Sequence, residues 1–99
     1  MRIREVTERT DELSDKLCRV WEASVRSTHL FLSEAEILRI RAYVPQAVVA
    51  VEHLVVAETE NEKPVGFLGA ENQRLEMLFL APDARGKGLG RQLLEYGIQ

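Results

Sequence analysis

Apolar residues at Leu13, Leu17, Val20, Trp21 and Val25 recur three or four positions apart and gather into one stripe, which predicts a helix that turns a single face to the core. Thr10 stands just before it as a capping residue. Asp11 and Glu12 follow in the first turn, where carboxylates favour the positive end of the helix dipole. Ser33 and Glu36 have the spacing of a capping box, with Leu32 and Ile37 at the positions of a hydrophobic staple, so a second helix is expected from Ser33. Its face continues through Ile37, Ile40 and Val44. Pro45 cannot donate a backbone hydrogen bond, so this helix should end or kink near Val44. The link from Thr28 to Leu32 is apolar for a surface loop.

Elsewhere the period is that of strands. Ile3 and Val6, set among charges, suggest a first strand, and Leu54–Ala57 reads as a buried one. Polar residues from Thr59 to Pro64 make a turn into Val65–Ala70, and Glu71-Asn72-Gln73 makes another into Arg74–Leu80, which gives a meander. Pro82 and Asp83 stop the last strand. After a glycine-rich turn, Leu89, Leu93, Leu94 and Ile98 mark the inner face of a final helix. The predicted order is β-α-α-β-β-β-α.

A chain of 99 residues, 45% hydrophobic and 29% charged, suits one folded domain and excludes a disordered one. The net charge of −3 argues against nucleic acid as a partner. No apolar stretch reaches the length of a membrane span or a signal sequence, so a cytoplasmic protein is expected. Cys18 is the only cysteine, has no partner for a disulfide or a metal site, and falls beside core positions. No metal is expected.

Candidate chemistry concentrates at Arg85-Gly86-Lys87-Gly88-Leu89-Gly90-Arg91. A strand that ends in a glycine turn and opens a helix gathers unpaired N–H groups at the positive end of a dipole, which favours phosphate. Arg85, Lys87 and Arg91 add cations to an acidic chain. A Walker A loop fails because Gly88 stands where Ser or Thr is needed. The dinucleotide fingerprint fails because Arg91 replaces its last glycine. Taken alone, the turn is equally compatible with a plain strand-to-helix connection bearing solvated basic residues.

Arg85-x-x-Gly88-x-Gly90 resembles the Q/R-x-x-G-x-G/A signature of the GCN5-related N-acetyltransferases (GNAT family), and Leu78-Phe79-Leu80-Ala81-Pro82 resembles that family's fourth strand and its exit. Trp21–Val25, Thr28-His29-x-Phe31-Leu32-Ser33 and Pro64–Phe67 are similar to its bacterial YjaB-type branch. The resemblance implies an α/β fold with a mixed, mostly antiparallel sheet over residues 1–99, lacking the family's C-terminal strands and helix. It implies acetyl-CoA as cosubstrate and an amine as acceptor. The backbone of Leu78, Phe79 and Leu80 would meet the pantetheine amides, and Arg85, Gly86, Lys87, Gly88, Leu89, Gly90 and Arg91 would hold the diphosphate.

Direct attack of an amine on a thioester needs one group to take a proton and another to give one. Glu76 on the coenzyme strand is the candidate acceptor. Strand alternation puts it on the face of Arg74, Leu78 and Leu80, and the alternative is a carboxylate paired with a neighbouring Arg or simply exposed. The family's tyrosine acid has no match at Tyr43 or Tyr96. Trp21 and His29 would border the acceptor site, against the alternatives of core packing and an ordinary loop histidine. A non-catalytic acyl-CoA-binding module remains the other functional class. The last strand, left at the sheet edge, could join a second copy of the chain.

Overall fold

The computed structural model describes residues 1–28 and 32–97. Its strands are β1 (Arg2–Val6), β2 (His53–Glu58), β3 (Pro64–Glu71) and β4 (Arg74–Leu80). Its helices are α1 (Asp11–Thr28), α2 (Glu34–Arg41), α3 (Val44–Ala50) and α4 (Leu89–Gly97), with one 3-10 turn at Pro82–Ala84. The strands lie side by side in sequence order, and all three pairings among the described residues are antiparallel. The expected α/β architecture is therefore present. His29, Phe31 and Ile98 lie outside the described residues.

The local signals act where the sequence puts them. The Thr10 hydroxyl accepts from the Leu13 N–H at 3.1 Å and starts α1. Ser33 and Glu36 form the reciprocal capping box, each side chain accepting from the other's backbone N–H. The two-residue turn between β3 and β4 holds Asn72 and Gln73 at φ of 52° and 63°, the left-handed pair whose twist suits an antiparallel hairpin.

Between β1 and β2 the described residues form three helices where two were expected. The N–H groups of Ala42 and Tyr43 bond back to Leu38 and Ile40, which closes α2 at Arg41. Pro45 then stands in the first turn of α3, where its missing N–H costs nothing and its fixed φ suits the helix. The proline opens a helix instead of ending one. Arg9 closes the far end of α3. One guanidinium nitrogen donates to the carbonyls of Val48, Val49 and Val51, and the other to that of Glu52 at 3.0 Å.

The sheet is covered on both faces, which explains why β2 and β3 are almost continuously apolar. Leu54, Val56 and Phe67 point to α1–α3 and join Leu17, Trp21, Val25, Ile37 and Val48 in one cluster. Val55, Ala57, Leu68 and Ala70 point the other way, to Leu89 and Leu93 of α4. Cys18 is buried in the first cluster, and burial pushes its thiol above the ordinary value. Among the described residues one charged side chain is also interior: Glu58, on β2, is bound by Arg4 of β1 at 2.7 Å. No helix among the described residues is long and apolar enough to cross a membrane.

Candidate active site

β4 is an edge: it pairs with β3 on one side and with nothing described on the other. Strict alternation would send Glu76 to the α4 face with Leu78 and Leu80. The register prevents this. Ala70 pairs with Leu75 and Gly69 with Met77, so Glu76 is an extra residue, a β-bulge. The bulge breaks the alternation at Glu76, which lines a groove of about 250 Å³ on the opposite face with Trp21, Ile40, Tyr43, Val44, Ala47, Phe67, Met77 and Phe79. The alternation expected for Glu76 is thus corrected by a bulge that the sequence signals only through Gly69, a glycine inside a strand. Glu76 is exposed and makes no ion pair among the described residues, so pairing with Arg74 is not its role.

The groove has an aromatic floor. Trp21 is 5% exposed and meets Phe79 edge-on, centroids 6.4 Å apart, while Phe79 lies 5.7 Å from Phe67. Trp21 is therefore packed in the core, as one of its two readings had it, and it also lines the groove. Tyr43, 64% exposed, and Val44 come from the α2–α3 junction. Sequence reasoning missed both as groove residues because it had no third helix there, although Val44, Val48 and Val51 stand at helical spacing.

At the other end of β4, the chain leaves through the 3-10 turn into the glycine loop. Gly86 and Gly88 have φ of 76° and 75°, a conformation natural to glycine, and a Cβ at either would meet nothing within 4 Å. The loop is an open cradle. The Gly88 carbonyl accepts from the Gln92 N–H at 3.1 Å, so α4 begins here and the N–H groups of Leu89, Gly90 and Arg91 have no helical partners. Lys87 and Arg91 are exposed beside them, with no ion pair among the described residues. The Arg85 side chain behaves differently. Its guanidinium turns inward to the Ser24 hydroxyl at 2.7 Å and the Ser24 carbonyl at 3.1 Å. Leu78 and Leu80 pack on the α4 side and Phe79 on the groove side, so β4 joins the two regions.

The family model described as "Acetyltransferase (GNAT) domain" matches residues 50–99, the sheet hairpins and the glycine turn together. The chain belongs to the GNAT acetyltransferase family. Among GNAT proteins it is 39% identical over 92 residues to the peptidyl-lysine N-acetyltransferase YjaB of Escherichia coli, covering 88% of this chain and 58% of that protein. To the protein of the same name from Salmonella typhimurium it is 36% identical over 87 residues, covering 88% and 59%. The chain thus spans a little under three fifths of these relatives. The solution structure of apo YjaB from Escherichia coli superposes with a TM-score of 0.80 at 35% identity, over 97% of this chain and 64% of that one. The PaiA N-acetyltransferase of Thermoplasma acidophilum, solved with coenzyme A, shares the fold with a TM-score of 0.73 at 21% identity, over 97% and 69%.

Proposed function

We propose that this chain provides the coenzyme-binding and acceptor-facing parts of an acetyl-CoA-dependent N-acetyltransferase, built as a single domain over residues 1–99. The observation that carries the proposal is the open left-handed glycine cradle at the start of α4, joined by the edge strand β4 to a groove that holds a carboxylate. The cradle fits a diphosphate. Backbone N–H groups of Gly88 to Arg91 would hold it, with Lys87 and Arg91 supplying charge. The edge N–H and C=O groups of Leu78, Phe79 and Leu80 would bind the pantetheine amides, which asks no particular side chain of those positions. Bound acetyl-CoA would supply an activated acetyl thioester. Glu76 takes the proton from the acceptor amine, directly or through water, as nitrogen would replace sulfur on the acetyl carbon; the thiolate that departs would draw its proton from solvent, while Trp21, Phe67 and Phe79 keep the groove floor dry.

The acceptor is an amine of a small molecule or a protein. The names of the two YjaB relatives make a lysine side chain in a peptide the first acceptor to test, and an apolar groove with one carboxylate at its wall suits an aliphatic stem that ends in an ammonium group. Calorimetry with acetyl-CoA, followed by thioester turnover with lysine peptides and an amine panel, tests the proposal. Glu76→Gln should lower turnover by about a hundredfold or more and leave acetyl-CoA affinity within about twofold. Absence of coenzyme binding at millimolar concentration would refute it. The same proposal has the protein working in the cytoplasm, with the edge of β4 as a route by which two copies would pair only while no coenzyme occupies it, since pantetheine would use the same backbone groups.

A further inference from the structure

The inward turn of Arg85 has a consequence for how the two halves of the site communicate. Arg85 sits between the 3-10 turn and the cradle, and its side chain reaches across the end of β4 to α1. There one guanidinium nitrogen contacts the Ser24 hydroxyl at 2.7 Å, the Ser24 carbonyl at 3.1 Å and the Leu80 carbonyl at 3.5 Å. Ser24 is 4% exposed and Arg85 half-buried, so the link is anchored at its α1 end away from solvent. It stands one helical turn after Trp21, on the helix that floors the groove. Two residues separated by 61 positions in sequence are thus joined at the one point where the strand exit, the cradle and the acceptor-side helix meet.

We infer that Arg85 is a positioning residue, not an anion ligand: it fixes the cradle against α1, and so couples occupancy of the diphosphate site to the setting of Trp21 in the acceptor groove. A guanidinium suits the task because its planar fork is always charged and holds several acceptors in fixed directions, which a lysine cannot copy. A cation engaged with a helix carbonyl, a strand carbonyl and a buried hydroxyl contributes little to a phosphate on the far side of the loop. Lys87 and Arg91, both exposed, are left for that role. This inference rests on the proposed coenzyme site, and the experiment separates the two.

Trp21 is the only tryptophan in the chain, so the emission reports on one place, the packing of α1 against β4 at the groove floor. ADP is the probe: it carries a diphosphate but has no pantetheine arm to reach the groove. In the wild-type protein, ADP binding measured by calorimetry should be accompanied by a change in Trp21 emission. In Arg85→Ala and in Ser24→Ala, ADP should still bind, about three- to tenfold more weakly, because a cradle no longer tethered to α1 must be ordered on binding, and the emission change should be gone. The double variant should lose no more than Arg85→Ala alone, because both remove one link. The salt dependence of ADP affinity should be unchanged in Arg85→Ala and flatter in Lys87→Ala. If Arg85→Ala flattens the salt dependence as much as Lys87→Ala, Arg85 is a direct ligand and the inference fails. It fails too if ADP binds without altering Trp21 emission, or alters it equally in the variants. If ADP and acetyl-CoA do not bind the wild type at all, the coenzyme site itself is wrong. Ser24→Ala keeps the charge of the loop and removes only a hydroxyl, so it preserves the test should Arg85→Ala fold poorly.

Discussion

Gly90→Asp separates a binding role of the glycine turn from a folding role. Gly90 lies in the first turn of α4 and is not among the residues with positive φ. A Cβ built on it would meet only the Leu80 Cδ1 atom, at 3.7 Å, an ordinary contact. The folded state therefore bears little strain. Replacing a helical glycine gains a few tenths of a kcal/mol, and a carboxylate in the first turn adds about 0.3–1 kcal/mol through the helix dipole. At roughly 4–8 °C per kcal/mol for a domain of this size, the melting temperature of the free protein should hold or rise by a few degrees. Binding should move the other way. A carboxylate about 5 Å from a phosphate charge, at an effective dielectric constant of about 20, costs about 3 kcal/mol, close to a hundredfold in affinity. Gly88→Ala is the complementary control: its φ of 75° makes any Cβ strained. That strain costs about 1–2 kcal/mol of stability but introduces no charge. Calorimetry with acetyl-CoA and scanning calorimetry of the free protein read both quantities. If Gly90→Asp binds acetyl-CoA within about threefold of wild type, no diphosphate lies at this turn.

Two further predictions concern the carboxylates of the sheet. The Arg4 guanidinium holds the buried Glu58 carboxyl below its ordinary range, so this pair stabilises the fold above the unfolded carboxylate value and loses that contribution as pH falls through the folded one. Arg4 is 38% exposed, and solvent screening reduces what a fully buried pair would give. Glu58→Gln should therefore cost about 1–2 kcal/mol in urea unfolding at pH 7, with the gap closing towards pH 3; a gap that stays constant over that range would contradict the assignment. His53, paired with Glu5 at 2.9 Å, is raised above its ordinary value by that hydrogen bond. Its imidazolium contact is complete below the unfolded value and lost as pH rises through the folded one. An NMR titration should place its midpoint higher in the wild type than in Glu5→Gln, and identical midpoints would show that the contact does not form in solution.

Much of this fold was written locally. Thr10, the Ser33–Glu36 box and the Asn72-Gln73 turn each act through hydrogen bonds or dihedrals that span only three or four residues, so their letters suffice. The limits of β4, Arg74 to Leu80, were legible for the same reason, bounded by a turn and by Pro82. The glycine cradle was legible as well, because positive φ at Gly86 and Gly88 answers to the absence of a side chain. Pro45 shows where local reading divides: the same residue ends one helix or begins the next, and the backbone bonds from Ala42 and Tyr43 decide which.

The side-chain directions at the site needed the assembled sheet. Whether Glu76 faces α4 or the groove depends on how Leu75 to Met77 register against Gly69 and Ala70, a pairing between two strands that no period within β4 encodes. Arg85 looks from sequence like one more cation beside phosphate. Only the packing of α1 across the end of β4 brings Ser24 within 2.7 Å and gives the guanidinium a buried partner. Sequence determines what each segment can do with its own backbone, whereas the orientation of a charged side chain is set by which distant acceptor comes within reach, and that is a property of the fold.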